Sequence, residues 1–198
     1  MRPGLVAGVM AVGSAIVLAG CQADPGAAPE PTRPAPIQAG NPIPPVTKNA
    51  RDVAAMARRP CELLTSQQAM GFRLDLPPQQ LSGLLGTLRC KWSTATREQE
   101  IVRTVDVSMF TDNSTLETIY SRRQGYPFFE LTEISGYPAI VRRTNVDDPS
   151  CDIDIKPAEQ QSISVGYRNN EFNNNPQQSC EMNKQVAAVV LMNLPPKS

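Results

Sequence analysis

Asp152 and Asp154 form the pair of residues in this sequence that is best arranged for acid–base chemistry. One residue separates them inside an alternating apolar and polar segment, a pattern that predicts a β-strand. Side chains at positions i and i+2 of a strand share one face and lie about 6.6–6.8 Å apart. Two carboxylates at this spacing suit a cation or a general acid and base. We favour the alternative, a solvated sheet face on which Lys156 continues the polar row.

Other catalytic arrangements are poorly supported by the residue types present. The chain contains no histidine, so the common serine and cysteine triads lack their base, and histidine-containing zinc sites are excluded. No Ser-x-x-Lys motif supplies a lysine in its place. We therefore predict no catalytic residue, no metal site and no cofactor. An envelope glycan hydrolase that uses Asp152, Asp154 or Glu130 is kept as the alternative function.

Aromatic side chains on a segment rich in glycine and proline form a second candidate site. They can line a groove for a partner or an apolar ligand, or they can cap the end of the sheet, which we favour. The residues are Tyr126, Phe128, Phe129 and Tyr137.

Three further residue groups have a functional and a structural interpretation. Trp92 alternates with Leu88 and Cys90, so we expect it in the core rather than at a ligand platform. The pairs Arg122-Arg123 and Arg142-Arg143 could contact anionic lipid or glycan, but exposed charge is the default. Asn113-Ser114-Thr115 matches a glycosylation acceptor, and a helix cap explains it more simply.

The charge balance excludes nucleic acid as a partner. The chain has 19 basic and 19 acidic residues, and only 5% of its residues are aromatic. It therefore offers neither a basic field for phosphates nor an aromatic platform for bases.

The N-terminus predicts export and lipid anchoring. Arg2 precedes an uncharged apolar run that ends in Val17-Leu18-Ala19-Gly20-Cys21, a lipobox. The run is shorter than the ~20 residues that cross a bilayer as a helix. Residues 1–20 are predicted to be a lipoprotein signal peptide, and acylation (palmitate) of Cys21 would anchor the protein on the outer face of the cytoplasmic membrane or the cell surface. The alternative is an ordinary cleaved signal with a chance cysteine.

The residues after Cys21 predict a tether followed by one folded domain. Proline is frequent between Asp24 and Thr47, so this segment favours extended conformations and buries little apolar surface. We predict a lipidated cysteine and disordered tether over residues 21–48. A single domain is predicted over residues 49–198.

The four remaining cysteines predict two disulfides. In an exported chain, Cys61, Cys90, Cys151 and Cys180 allow three connectivities. We prefer Cys61–Cys90 with Cys151–Cys180 because this pairing closes two compact local loops, each stabilising by roughly 3–4 kcal/mol in the chain-entropy model. A four-thiolate zinc site is less consistent with the sequence, because no two cysteines are closely spaced.

Local patterns predict several helices. Asn49 can cap a short helix that Pro60 stops, and Thr65 with Gln68 has capping-box spacing, with Gly71 at the helix exit. A loop or short helix is expected over 77–85, and a mid-chain helix is expected after a second capping box formed by Ser114 and Glu117. The C-terminal helix is predicted to be capped by Asn175 and to bury Met182, Val186, Val189 and Val190.

Alternation predicts strands between these helices, over approximately 88–93, 104–109, 128–134, 139–143, 151–156 and 162–167. Turns are expected at Gly136-Tyr137-Pro138 and over 157–160. Most of the links are too short for parallel crossovers. The predicted fold class is therefore α+β, with a mostly antiparallel sheet, short N-terminal helices, one mid-chain helix and a C-terminal helix.

An ordered series of motifs resembles a family of actinobacterial cell-envelope lipoproteins of unknown function. The resemblance covers approximately residues 60–195 and implies a cell-envelope lipoprotein with a cysteine framework, but no catalytic or ligand-binding residue. The motifs are Pro60-Cys61, Leu63-Leu64-Thr65, Cys90-Lys91-Trp92, Gly136-Tyr137-Pro138-Ala139, Cys151, Cys180 and Leu194-Pro195.

Together these features predict a membrane-anchored, non-catalytic binding or accessory module of the bacterial cell envelope. Its partner would be the membrane through Cys21, together with an envelope protein, a lipid or a glycan. A purely structural role beside a transporter is a third hypothesis. The sequence does not specify an oligomeric state.

Overall fold

The computed structural model describes residues 42–83, 87–94, 101–112 and 115–198. In this part of the chain, seven strands form one sheet in the order β1-β2-β3-β7-β6-β5-β4, and every neighbouring pair is antiparallel. The strands are β1 (Gln79–Ser82), β2 (Leu88–Ser93), β3 (Arg103–Phe110), β4 (Phe128–Ile134), β5 (Tyr137–Arg143), β6 (Ser150–Ala158) and β7 (Gln161–Asn169). The predicted α+β fold with an antiparallel sheet is confirmed.

Three α-helices accompany the sheet: α1 (Ser66–Gly71), α2 (Thr115–Ser121) and α3 (Gln177–Asn193). Single 3₁₀ turns occur at Ala54–Met56, Pro60–Leu63, Arg123–Gly125 and Asn170–Phe172. Helix α3 packs mainly on β6 and β7, and α2 contacts β5, β6 and β7. We call the side of the sheet that carries Val107 and Ile153 the α3 face, and the side that carries Asp106 and Asp152 the α2 face.

The α3 face carries the main hydrophobic core. Trp92 is 1% exposed and lies in this core, as predicted. The apolar stripe of α3 differs from the prediction, because Val186 and Val190 are fully buried whereas Met182 and Val189 are only partly buried. The buried side of the helix instead includes Cys180 and three small or polar residues, which fit close to the strands. These three residues are Ser179, Asn183 and Ala187.

Two helix-end predictions on the N-terminal side have different outcomes. The capping box is confirmed: the Thr65 hydroxyl accepts a hydrogen bond from the Gln68 backbone N–H, and the Gln68 side chain accepts one from the Thr65 N–H. Gly71 does not make the exit turn, since it is the last helical residue and Arg73 takes the left-handed conformation (φ 60°). Asn49 caps no helix, because Asp52 accepts the hydrogen bond from the Ala55 N–H at a single 3₁₀ turn.

Three other local predictions need correction. The segment expected to be a loop or short helix contains β1, which pairs with β2; residues 84–86 lie outside the described residues. The hairpin turn between β4 and β5 consists of Ser135 (φ 52°) and Gly136 (φ 82°), and both positive angles are those of a type I′ turn. Tyr137 therefore already belongs to β5. Helix α3 begins after Pro176 without a side-chain cap from Asn175.

A smaller apolar cluster lies on the α2 face. It consists of Ile43, Leu116 and Ile140, which are at most 2% exposed, with Ile119 and Tyr120 packed beside them. Leu116, Ile119 and Tyr120 of α2 thus face the sheet, while Ser114, expected in the capping box, lies outside the described residues. Ile43 belongs to the segment predicted to be a tether, so ordered packing begins before Asn49.

The two ends of the described domain are fixed side by side. Arg51 forms an isolated antiparallel bridge with Pro196. The Lys197 N–H donates to the Ala50 carbonyl at 2.8 Å, and the Asp52 N–H donates to the Pro195 carbonyl at 2.8 Å. We call these contacts the terminal clasp.

No helix among the described residues is long and apolar enough to cross a membrane.

Candidate functional site

Two disulfides brace the α3 side of the domain. Cys61–Cys90 joins the second 3₁₀ turn to β2, and Cys151–Cys180 joins β6 to α3, each with a sequence separation of 29. Both Cα–Cα distances are 5.1 Å, well within the range for disulfides. This is the pairing preferred from the sequence, and each bond ties a helical element to the sheet.

The α2 face carries an open, polar trough over β2, β3, β7 and β6. Its volume is about 340 Å³. Strand alternation places polar residues here because their apolar neighbours point into the core on the other side. The lining residues are Arg89, Thr104, Asp106, Ser108, Ser150, Asp152, Ser164, Gly166, Tyr167 and Arg168.

The register of the sheet aligns charged residues in one transverse row across this face. Lys91 lies opposite Asp106, and Asp106 lies opposite Gly166. Gly166 lies in turn opposite Asp152, which lies opposite Arg142. Residues directly opposite each other in antiparallel strands point to the same side. The row therefore brings two carboxylates to either side of a residue without a side chain.

Gly166 is a specific requirement of this arrangement. A Cβ atom at this position would lie 3.1 Å from Asp152 Oδ1 and 3.9 Å from the Asp106 Cβ. The Asp152 carboxylate thus leans over the bare backbone of β7, toward Asp106. Any larger residue would fill the floor of the trough between the two aspartates.

Arg142 holds both aspartates of the sequence-predicted pair. Its Nη1 donates to Asp152 Oδ2 at 2.9 Å, and its Nε donates to Asp154 Oδ2 at 2.8 Å. The Tyr126 ring covers the guanidinium, with 5.3 Å between Arg142 Cζ and the ring centroid. Asp152 and Asp154 do share a face, as predicted, but they converge on this arginine.

The expectation of a solvated face is wrong for two of the three residues of the predicted polar row on β6, Asp152, Asp154 and Lys156. Asp154 is 2% exposed and Lys156 is 4% exposed. Lys156 Nζ lies 2.8 Å from Glu159 Oε2 and 3.2 Å from Glu117 Oε1, so its burial is compensated by two carboxylates. Helix α2, which contributes Glu117, and its contacts with the sheet remove these side chains from water.

Burial raises the pKa of each aspartate on this face above its ordinary value. For Asp106, Lys91 and Arg89 oppose the effect of burial on the pKa. For Asp152, Arg142 opposes it, whereas Asp154 and Asp106 raise the pKa further. Burial also raises the pKa of Asp154, against the charge of Arg142 and a hydrogen bond from Ser164. These carboxyls therefore take up protons more readily than exposed aspartates.

One wall of the trough has unfilled hydrogen-bonding capacity. Within the described part of the chain, Asp106 Oδ1 and Arg89 Nε are buried without a hydrogen-bond partner. Arg89 Nη1 lies 3.8 Å from Asp106 Oδ1, which is close enough for ionic attraction but too far for a hydrogen bond.

The four aromatic candidates are divided between the two faces of the sheet. The rings of Tyr126 and Phe129 stack on the α2 face at 6.2 Å, and Tyr120 meets Phe129 edge-on at 5.9 Å. Phe128 and Tyr137 pack against the main core instead, and the Tyr137 hydroxyl donates to the Asn49 carbonyl. Because consecutive strand residues alternate, these four residues do not form one groove.

The remaining candidates are dispersed. Glu130 lies near Lys184 of α3 (3.7 Å), so it is on the opposite face from Asp152. Arg123 stacks on Tyr120 at 4.6 Å, Arg122 is exposed, and Arg143 donates to backbone carbonyls of the loop before β6.

Cys21, Asn113 and Ser114 lie outside the described residues. Among the residues that are described, no group of three or more histidine, cysteine or acidic side chains is arranged to hold a metal ion.

Sequence reasoning missed Asp106, Gly166 and Arg89 as members of a site. Each occupies a polar position of an alternating strand, which by itself indicates only an outward-facing residue. Asp106, Asp152 and Gly166 are roughly 14 to 60 residues apart in the sequence. They become neighbours only through the register of β3, β7 and β6. A glycine inside a strand was the one available signal, since it often marks a close approach.

The chain matches a protein-family model. A family model described as "Protein of unknown function (DUF3558)" matches residues 16–193. The matched segment includes Cys21, all four disulfide cysteines and the whole polar trough. No curated protein and no solved structure matches the chain. The chain thus belongs to the DUF3558 family, whose function is unknown.

Proposed function

We propose that this protein is an actinobacterial cell-envelope lipoprotein, anchored through acylated Cys21, whose folded domain is a non-catalytic binding module. The polar trough on the α2 face is its binding surface. The observation that carries this proposal is the row in which Asp106 and Asp152 flank the bare backbone of Gly166. Such a concave, polar surface is suited to recognition by directed hydrogen bonds.

Electrostatic cost supports a functional role for the trough. Burial raises the pKa of both Asp106 and Asp152, which means that the fold disfavours their ionised forms. Residues held at a cost to stability are concentrated at functional sites.

The anchor is supported by the lipobox and by the cysteine chemistry of the domain. All four cysteines of the domain are in disulfides, which persist in oxidising compartments outside the cytosol. Cys21 is thus the cysteine left for acylation.

Metabolic labelling tests the anchor. Cells that produce the full chain and are fed radiolabelled palmitate should label the protein, and Cys21→Ala should abolish the label and release the protein from membranes. An unlabelled wild-type protein would refute the anchor, as would a Cys21→Ala protein that stays on the membrane.

Site-specific cross-linking tests the binding surface. A photo-reactive phenylalanine analogue replaces Ser108 in the trough or, as a control, the exposed Glu181 of α3 in the full chain on living cells. We expect a discrete adduct only from position 108, identified by mass spectrometry. Adducts that are the same from both positions would contradict the proposal, as would the absence of adducts together with the absence of any ligand that binds in the trough.

A glycan hydrolase is the second candidate, because the pKa values of Asp106 and Asp152 are both raised and the two carboxylates face each other across Gly166. Raised carboxyl pKa values suit a general acid. The candidate catalytic carboxylates are then Asp152 and Asp106. Asp154 is not a candidate because it is buried against Arg142, and Glu130 is not because it lies on the other face. Release of reducing sugars from envelope glycans that disappears in Asp106→Asn and Asp152→Asn would establish the enzyme.

A further inference from the structure

The charges around the polar trough balance. Arg89 and Arg168 contribute two positive charges, and Asp106 and Asp152 contribute two negative charges. Each has a counter-ion in the fold: Arg168 lies 3.3 Å from Asp148, and Asp152 is bound by Arg142. A cation would have to compete with Arg142, and an anion would face two aspartates. The trough is therefore complementary to a ligand without net charge.

The trough instead offers donors and acceptors side by side. Guanidinium groups only donate hydrogen bonds, carboxylates only accept them, and the hydroxyls of Thr104, Ser108 and Ser150 do both. A ligand that fits this surface must alternate donors and acceptors over a short distance. The hydroxyl group meets this requirement, since each one donates a single hydrogen bond and accepts up to two.

The wall formed by Arg89 and Asp106 presents partly exposed side chains to such a group, since Arg89 is 43% and Asp106 34% exposed. Asp106 Oδ1 and Arg89 Nε lack a hydrogen-bond partner in the described part of the chain, and 3.8 Å separates Arg89 Nη1 from Asp106 Oδ1. A ligand hydroxyl at this wall would accept from the guanidinium and donate to the carboxylate.

The floor and size of the trough suit a small ring. Gly166 exposes the backbone of β7 between the two aspartates, so a ligand can approach the strand more closely than any side chain would allow. The volume of about 340 Å³ lies within the range of small-molecule sites.

From charge, hydrogen-bonding capacity and shape, we infer that the polar trough binds a neutral polyhydroxylated ligand, a saccharide. This inference rests on the proposed binding function and names the chemical class of its ligand. Asp106 and Arg89 hold one hydroxyl, Asp152 accepts from another, and the ring lies over Gly166.

Ligand-observed saturation-transfer NMR on the full chain tests this assignment, in a detergent without a sugar headgroup. The probes are the methyl glycosides of glucose, mannose, galactose and arabinose, compared with cationic glucosamine and anionic glucuronate. We expect saturation transfer to at least one neutral glycoside and none to the charged sugars. Gly166→Val, which fills the floor, and Asp106→Asn should each weaken binding at least tenfold.

Matched controls separate a lost site from a lost fold. Gly125→Ala adds a Cβ that meets nothing within 4 Å, and Glu133→Gln removes an exposed carboxylate outside the trough. Both should bind as the wild type does. Valine is favoured in strands, and circular dichroism verifies that Gly166→Val is folded; if it is not, Asp106→Asn alone decides the assignment.

The other outcomes separate this inference from the proposed function. Trough-dependent binding of only a charged sugar would overturn the neutral-saccharide assignment and leave the binding module standing. So would the absence of sugar binding together with a protein adduct from position 108. Saccharide binding that neither trough variant weakens would also overturn it. If neither sugars nor cross-links are found, both proposals fail.

Discussion

The two faces of the seven-stranded sheet differ in what they carry: one is mainly apolar and covered, and the other carries charged residues. The α3 face buries Trp92, Val107 and Ile153 under a long helix and two disulfides. Among the described residues, the α2 face has the small cluster around Ile43, Leu116 and Ile140, and beside it a charged row whose aspartates have raised pKa values. Packing therefore maintains the fold from one side, while the other side can hold a polar site.

This contrast predicts two kinds of mutational response. Changes on the α3 face should alter the free energy of unfolding by amounts that do not depend on pH, because apolar contacts carry no protons. Changes on the α2 face should alter it by amounts that vary with pH, because burial and ion pairing set the protonation of its carboxyls.

The largest effect is expected from Trp92→Ala on the α3 face. Removing this fully buried ring should cost about 4 kcal/mol of unfolding free energy, from lost contacts and the remaining cavity. Urea denaturation at pH 7 and pH 5 should give the same loss. Lys91→Ala, the preceding residue on the α2 face, is the control and should change stability little. A loss below about 1 kcal/mol would contradict the central role of this core.

Arg142→Ala should cost about 3 kcal/mol at pH 7. It leaves Asp154, which is 2% exposed, as a buried carboxylate without its counter-charge. The loss should diminish as the pH falls and be smallest below the ordinary aspartate value of 3.8, where Asp154 is neutral in both the folded and unfolded chains. Denaturation curves at several pH values measure this, with Arg122→Ala as an exposed control. A loss that is independent of pH would break the contrast between the faces.

Asn183→Ala should cost about 2 kcal/mol on the α3 face. The Asn183 amide donates to the carbonyls of Cys151 and Val165, so alanine removes two buried hydrogen bonds. The loss should not vary with pH, since no ionisable group is involved. Gln185→Ala, at an exposed position of the same helix, should cost little. A similar loss in both variants would mean that these hydrogen bonds are not responsible.

Asp106→Asn is the smallest expected effect and has the opposite sign. Burial raises the folded-state pKa of Asp106, so ionisation at pH 7 opposes folding, and asparagine removes this penalty. We expect a gain of about 0.3 kcal/mol, because the side chain is about a third exposed and water screens its charge. The gain should diminish as the pH falls and vanish below the ordinary value of 3.8. A variant that is less stable at pH 7 would show that Arg89 and Lys91 outweigh burial.

Local sequence patterns were sufficient to predict most of the fold. The β2, β3, β6 and β7 strands follow from alternation, and the Thr65–Gln68 capping box follows from spacing within one helical turn. β1 was missed because Gln79 and Gln80 show no apolar alternation; pairing with β2 makes this segment a strand.

The polar trough could not be predicted for a different reason. Asp152 and Asp154 can be identified because they are near neighbours in sequence. However, Arg142 donates hydrogen bonds to both, and Arg142 and Asp106 affect the pKa of Asp152. Those relations depend on strand order and register, which arise from the whole sheet. The burial of Lys156 depends likewise on Glu117 from a helix 39 residues earlier.

The terminal clasp has a practical consequence for work on this protein. The Lys197 N–H donates to the Ala50 carbonyl, and the Asp52 N–H donates to the Pro195 carbonyl. Residues 195–197 therefore hold the start of the domain in place. A reporter or affinity tag appended after Ser198 would lie next to the terminal clasp and could disrupt its hydrogen bonds. The exposed loop at Asn145 and Val146 is a safer insertion point, since its side chains have no place in the core.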